Sequence, residues 1–158
     1  MFDQKLSHGC DYNPEQWLDR PEILQRDVEL MQEAGVNLVS IGVFSWSTLE
    51  PREGEYRFDW LDETFERLHA GGVGICLATG AASFPHWMAH KYPEVSRTLQ
   101  VSPRHRASRR HDFCPTSPVY REKTAALIDR LALRYGEHPA LKAWHVNNEY
   151  GGTADANR

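Results

Sequence analysis

The stretch Trp144-His145-Val146-Asn147-Asn148-Glu149-Tyr150-Gly151 puts an amide and then a carboxylate directly after a buried-looking apolar run. Where a strand ends at an open rim, that pair suits proton-transfer chemistry. Glu149 would act as a general acid, its pKa lifted by partial burial and a neighbouring carboxylate, and Asn148 would orient a substrate hydroxyl. The competing reading makes Glu149 a solvated acid in a loop or in the first turn of a helix. Other segments with chemical potential also follow apolar runs. They are Asp11-Tyr12-Asn13-Pro14-Glu15-Gln16-Trp17, then Phe44-Ser45-Trp46 with Glu50-Pro51-Arg52-Glu53-Gly54, then Phe84-Pro85-His86-Trp87. Aromatic rings beside amides and carboxylates suit a sugar, whose hydroxyls need donors and acceptors while its CH faces stack on rings. A loop tryptophan is otherwise a cover for the core.

These segments need elements to carry them, and the chain alternates helix and strand. An amphipathic stretch with Leu24, Val28, Met31 and Ala34 on one face ends at Gly35, and an apolar run from Val36 to Val43 follows. A second, from Asp59 to Ala70, carries Leu61, Phe65 and Leu68, ends in Gly71-Gly72, and precedes the run from Val73 to Thr79. A third runs from Ser117 to Tyr135, stops at Gly136, and leads past Pro139 into the run from Leu141 to Val146. Glycine after each helix supplies a left-handed residue, and short links into buried strands are typical of α/β units. Pro21 and Pro118 sit at first helical positions, Ser117 caps, and Asp59 marks the start of the second helix. Continuous apolar runs read as parallel strands covered on both faces. With an opening strand from Leu6 to Asp11, the order contains four strands. That fits either a small open α/β sheet or about half of a (β/α)8 barrel, which usually takes roughly 250 residues. Neither a GxGxxG nor a GxxxxGK[ST] motif occurs, which removes the main support for a phosphate-binding open sheet.

The 158 residues contain 18 Lys and Arg against 22 Asp and Glu, a formal net charge of -4, so nucleic acid is not an expected partner. Cys10, Cys76 and Cys114 are three widely spaced cysteines, which form neither a paired disulfide set nor a zinc knuckle and fit a reducing, cytoplasmic compartment. The N-terminus lacks a basic region followed by an apolar core, and no apolar run nears the roughly 18 residues that would cross a bilayer. Secretion and membrane insertion are not expected.

The segment from Asp11 to Trp17, then Ile41-Gly42-Val43-Phe44-Ser45-Trp46 with Leu49-Glu50-Pro51, resembles the N-terminal part of family 42 β-galactosidases. Phe113-Cys114-Pro115-Thr116-Ser117-Pro118 and Asn148-Glu149-Tyr150-Gly151 continue the resemblance in order and spacing, over nearly the whole chain. It implies a (β/α)8 TIM barrel of which about the first half, four strands, is present: residues 1–152 from the catalytic domain and 153–158 a tail. It implies retaining hydrolysis of terminal β-D-galactosides, with Glu149 as acid/base and Asn148 contacting the galactose. Arg110, four residues before Cys114, takes the place of a galactose-binding arginine, while Arg104, Arg106 and Arg109 read as a solvated basic loop.

Two departures stand out. Members with zinc use a cysteine matching Cys114 and three more just after the acid/base, where this chain has Gly152-Thr153-Ala154-Asp155, so no metal or other cofactor is expected. His105 and His111 with Cys114 would be irregular substitutes. The nucleophile implied by the family is a glutamate at the end of the seventh strand, beyond Arg158, so the chain is expected to be a truncated piece that is inactive alone. The whole parent enzyme would be a homo-oligomer, a trimer by the same resemblance. Alternatives are a carbohydrate-binding module without catalysis, or another β-glycosidase of the same barrel superfamily; the motif from Asp11 to Trp17 speaks against the latter.

Overall fold

The structure is a computed structural model that describes residues 6–97 and 111–149. Four strands, β1 (Asp11–Tyr12), β2 (Leu38–Ile41), β3 (Gly74–Ala78) and β4 (Leu141–His145), form one sheet in the order β1-β2-β3-β4. Every neighbouring pair is parallel, with Asp11 opposite Ser40, Val39 opposite Ile75 and Ala78 opposite His145. The connections carry helices α1 (Pro21–Glu33), α2 (Trp46–Leu49), α3 (Asp59–Ala70), α4 (His86–Lys91) and α5 (Pro118–Tyr135).

The first two helix-to-strand joins are built alike. After α1, Gly35 takes φ +71°, its N–H bonds to Gln32 O, and Val36 N–H reaches back to Met31 O at 2.8 Å. After α3, Gly72 takes φ +74°, and Val73 N–H reaches Leu68 O at 2.9 Å. Both close the last helical turn through a left-handed glycine and turn the chain straight into the next strand. The third join departs from the expected pattern. Gly136 keeps a helical φ of −56°, and the chain turns further on, where Leu141 N–H bonds to His138 O ahead of which Pro139 cannot continue a helix.

Three starts also differ or gain detail. Ser117 caps α5 by accepting from Tyr120 N–H at 3.3 Å, as its sequence position suggests. Asp59 is the first helical residue of α3 and not its cap, which is Phe58. The opening strand is shorter and later than the expected Leu6 to Asp11. His8 O and Cys10 O accept from Asn37 and Ser40 in strand fashion, but Gly9 lies so close to β2 that a Cβ there would sit 1.5 Å from Leu38 O. That contact leaves the segment irregular until Asp11.

Val39, Ile41, Ile75 and Leu77 bury fully with Leu61, Phe65 and Leu68 of α3 and Leu127 and Leu131 of α5. Phe65 stacks on Tyr135 at 4.4 Å, and Tyr135 O–H donates to Asp62 at 2.7 Å. Burial opposes ionisation of Asp62, but bonds from Arg134 and Tyr135 hold its carboxyl below the usual range. Leu38, Ser40 and Cys76, which alternate with the fully buried strand residues, are only half-buried. The expected coverage of both faces therefore fails for part of the sheet. It fails most clearly at β4, an edge strand among the described residues, where Trp144 is 37% exposed and Val146 beyond it 63%.

Candidate active site

The chemistry-bearing segments come together at the C-terminal end of the sheet, where each strand gives way to its following loop. Two glycines shape that rim. Gly42 (φ +77°) turns the chain after β2, and its carbonyl accepts from Ser45 Oγ at 2.9 Å. Gly80 (φ +73°) turns it after β3, where a Cβ would come within 3.3 Å of Trp46 N. Thr79 locks β3 to the end of β4, with its N–H on His145 O at 3.1 Å and its hydroxyl on Val146 O at 2.8 Å. A tight recess follows, too small to admit a water, lined by Val43, Thr79, Gly80, Ala82, His145 and Asn148, among others.

Asn148 is half-buried there. Its backbone N–H bonds to Asn147 Oδ1 at 2.7 Å, and its side-chain Nδ2 is buried without a hydrogen-bond partner. Glu149 follows, exposed, with φ +48°. A left-handed backbone at a non-glycine residue is strained, and such residues concentrate at functional sites. His111 is the other described non-glycine residue with positive φ, +61°. Arg110 lies outside the described residues, as do Arg104, His105, Arg106 and Arg109. The structure thus brings Asn148 and Glu149 to the rim and says nothing of Arg110.

The connection after β3 forms a clip over this end. Residues 95–97 pair with residues 112–114 through Arg97 N–H to Asp112 O and Cys114 N–H to Val95 O, both 2.7 Å. The Cys114 thiol stands 3.1 Å from the Thr116 hydroxyl, and among the described residues no three His, Cys, Asp or Glu side chains cluster closely enough to hold a metal.

The tryptophans divide by role. Trp46 is fully buried and Trp87 donates to Glu50 O at 2.8 Å, so both cover the core. Trp17, 43% exposed, lines a groove of about 370 Å³ beside β1 with Tyr12, Asn13, Gln16 and Asp27. Burial first, and then the Asp27 carboxylate, push the Tyr12 hydroxyl far above the usual tyrosine range. Burial likewise raises Glu15, whose Oε2 has no partner.

Sequence reasoning named Glu50 only as part of the segment Glu50-Pro51-Arg52-Glu53-Gly54 and did not foresee its burial. It is 2% exposed, accepts from Trp46 Nε1 and from Gly54 N–H, each at 2.8 Å, and clamps the loop after β2. A signal existed: a glutamate four residues after a tryptophan shares a helix face with it.

Parallel β/α units whose polar loop residues gather at the C-terminal ends of the strands have the arrangement of a (β/α)8 barrel. The chain belongs to glycoside hydrolase family 42, the β-galactosidases, whose pattern it matches over residues 11–157. It is 52% identical to a β-galactosidase of Alicyclobacillus acidocaldarius over 149 residues, covering 94% of this chain and 22% of that protein. A β-galactosidase of Bacillus subtilis is also 52% identical, over 93% of this chain and 22% of the relative. Among solved structures, a family 42 β-galactosidase of G. stearothermophilus superposes with a TM-score of 0.90 at 52% identity, over 96% of this chain and 22% of that one. The enzyme of Rahnella sp. R3 gives 0.87 at 51% identity, over 96% of this chain and 22% of that one. The chain therefore spans about 22% of the length of the relatives it matches, and its four strands are the first half of a (β/α)8 TIM barrel. No helix among the described residues is long and apolar enough to cross a membrane.

Proposed function

We propose that this chain supplies the acid/base half of a retaining β-galactosidase site. Glu149 donates a proton to the glycosidic oxygen as the leaving group departs, and a second carboxylate attacks the anomeric carbon to form a glycosyl-enzyme. Glu149 then takes a proton from the water that releases galactose. The second carboxylate comes from polypeptide other than these 158 residues. Asn148 and Arg110 hold hydroxyls of the terminal galactose. Residues 1–152 belong to the catalytic barrel, and no metal enters the chemistry. The three unpaired cysteines support a cytoplasmic setting, and the whole enzyme assembles as a homo-oligomer, a trimer by the family pattern.

The observation that carries this reading is the Asn148-Glu149 pair directly after β4, with Asn148 in the recess and Glu149 held left-handed. The recess has no room for a sugar by itself, which supports a site completed by further chain.

The test joins residues 1–158 to the part of the Bacillus subtilis relative that follows its matched segment. This joined protein is expected to hydrolyse nitrophenyl β-galactoside, the 158-residue chain alone to be inactive, and Glu149→Gln to lower kcat by about 10²- to 10⁴-fold. Turnover by the chain alone that Glu149→Gln abolishes would refute the need for a second carboxylate from elsewhere. Full activity in the joined Glu149→Gln variant would refute the acid/base role.

A further inference from the structure

The groove of about 370 Å³ beside β1 takes no part in the site at the rim. Tyr12 and Asn13 stand at the end of β1, Asp27, Leu30 and Met31 lie along α1, and Trp17 belongs to the loop between them. The Tyr12 hydroxyl bonds to the Asp27 carboxylate and so ties strand to helix across the groove.

Helix α1 is packed on one side and bare on the other. On the packed side Val28 is buried so close to Gly71, after α3, that a Cβ there would meet its side chain at 2.4 Å, and Gln32 Nε2 donates to Gly71 O at 3.1 Å. On the bare side Asp27, Leu30 and Ala34, three and four residues apart, run along the groove as a second stripe, and Leu30 is 46% exposed. The strand is as one-sided as the helix: among the described residues β1 pairs with β2 and has no strand on its other side. A free strand edge beside a half-covered apolar helix face, with an exposed tryptophan at its end, is a surface onto which a further β/α unit packs. The ring decides which unit. In a closed (β/α)8 barrel every strand has two neighbours and every helix is flanked on both sides, so β1 and α1 take the eighth unit here. The chain holds four units and spans 22% of the length of relatives that continue well beyond them.

We infer that the groove beside β1 is the docking surface of the barrel's closing β/α unit, which lays an amphipathic helix along α1 with apolar side chains against Trp17, Leu30 and Met31 and polar ones over Asn13 and Asp27. The inference rests on the half-barrel part of the proposed function and adds the surface by which the further polypeptide is held.

The experiment uses the joined protein with Leu30→Cys and, separately, with Gln25→Cys, and follows modification by a maleimide. Peptide mass spectrometry assigns each site, because Cys10, Cys76 and Cys114 are also free thiols. Gln25 is exposed on α1 and does not line the groove. In the folded protein position 30 is expected to react at least about 10-fold more slowly than position 25, and in concentrated urea the two should react alike. Equal rates in the folded protein would show an open groove and overturn the inference. Protection of position 30 that disappears on dilution would make the cover a second copy of the protein, which overturns it as well. If Leu30→Cys loses cooperative unfolding, Ala34→Cys on the same stripe is read in the same way. Hydrolysis of nitrophenyl β-galactoside is followed alongside. An active joined protein with position 30 unprotected overturns the docking alone, an inactive one with position 30 protected overturns the proposed function alone, and an inactive, unprotected one overturns both.

Discussion

Glu50 has almost no exposed surface, and both its carboxylate oxygens are taken, one by the Trp46 indole N–H and one by the Gly54 backbone N–H. Its backbone carbonyl receives the Trp87 indole as well. Removing the side chain would orphan two donors beside the rim of the site. Glu50→Ala in the joined protein is expected to lower unfolding stability by about 3 kcal/mol, measured by urea denaturation; a change below about 0.5 kcal/mol would show that water replaces the carboxylate. Glu50 was poorly legible in the sequence because a glutamate before proline, followed by Arg52, Glu53 and Gly54, has the composition of an exposed turn. The place of Asn148 and Glu149 just after β4 was legible because the apolar run before them reads as a strand. The left-handed backbone at Glu149 and His111 was not, since nothing in a residue's type announces positive φ unless it is glycine.

At the scale of elements, the loop between α2 and α3 is fastened to two helices through one carboxylate. Glu53 pairs with Lys91 of α4, with Lys123 of α5 at 2.9 Å and with the Tyr92 hydroxyl at 2.9 Å. Lys91 and then Lys123 hold its carboxyl down to about 2, from an ordinary value of 4.5. A carboxyl depressed on folding stabilises the folded state above its unfolded pKa, and the contribution is lost as pH falls through the folded value. Stability of the joined protein should therefore decline between about pH 4.5 and pH 2. Glu53→Gln should remove part of that decline while leaving the Glu50 clamp intact. Equal pH slopes for parent and variant in urea titrations would contradict the assignment.

The same scale explains what could be foreseen of the fold. The ends of α1 and α3 at Glu33 and Ala70 were readable because amphipathic spacing and glycine coincide there. The helices α2 and α4, with four and six residues, were not, being too short to show a period. They are fixed by the burial of Trp46, Leu49 and Met88 in the common core. The end of α5 at Tyr135 was readable from Gly136 as well, although that glycine caps the helix with a helical φ of −56° and not in the left-handed conformation expected of it.

For the whole molecule, alternation of helix and strand conveyed a parallel sheet, but chain length left an open sheet and a partial barrel equally open. Only the residues at the strand ends, and then the likeness to family 42 enzymes, resolve that choice. The half-exposed face of β4 and the small recess beside Asn148 are what four strands of an eight-stranded cylinder leave without the other four. Function in this architecture rests on whether Glu149 delivers the proton that a poor leaving group needs. The most direct measurement is kcat/KM of the joined Glu149→Ala variant on dinitrophenyl and methyl β-galactosides. A dinitrophenolate departs without protonation, whereas methoxide does not. The account predicts that the dinitrophenyl substrate retains kcat/KM within about 10-fold of the parent while the methyl galactoside loses at least about 10³-fold. An equal loss on both substrates, or no loss on either, would contradict it.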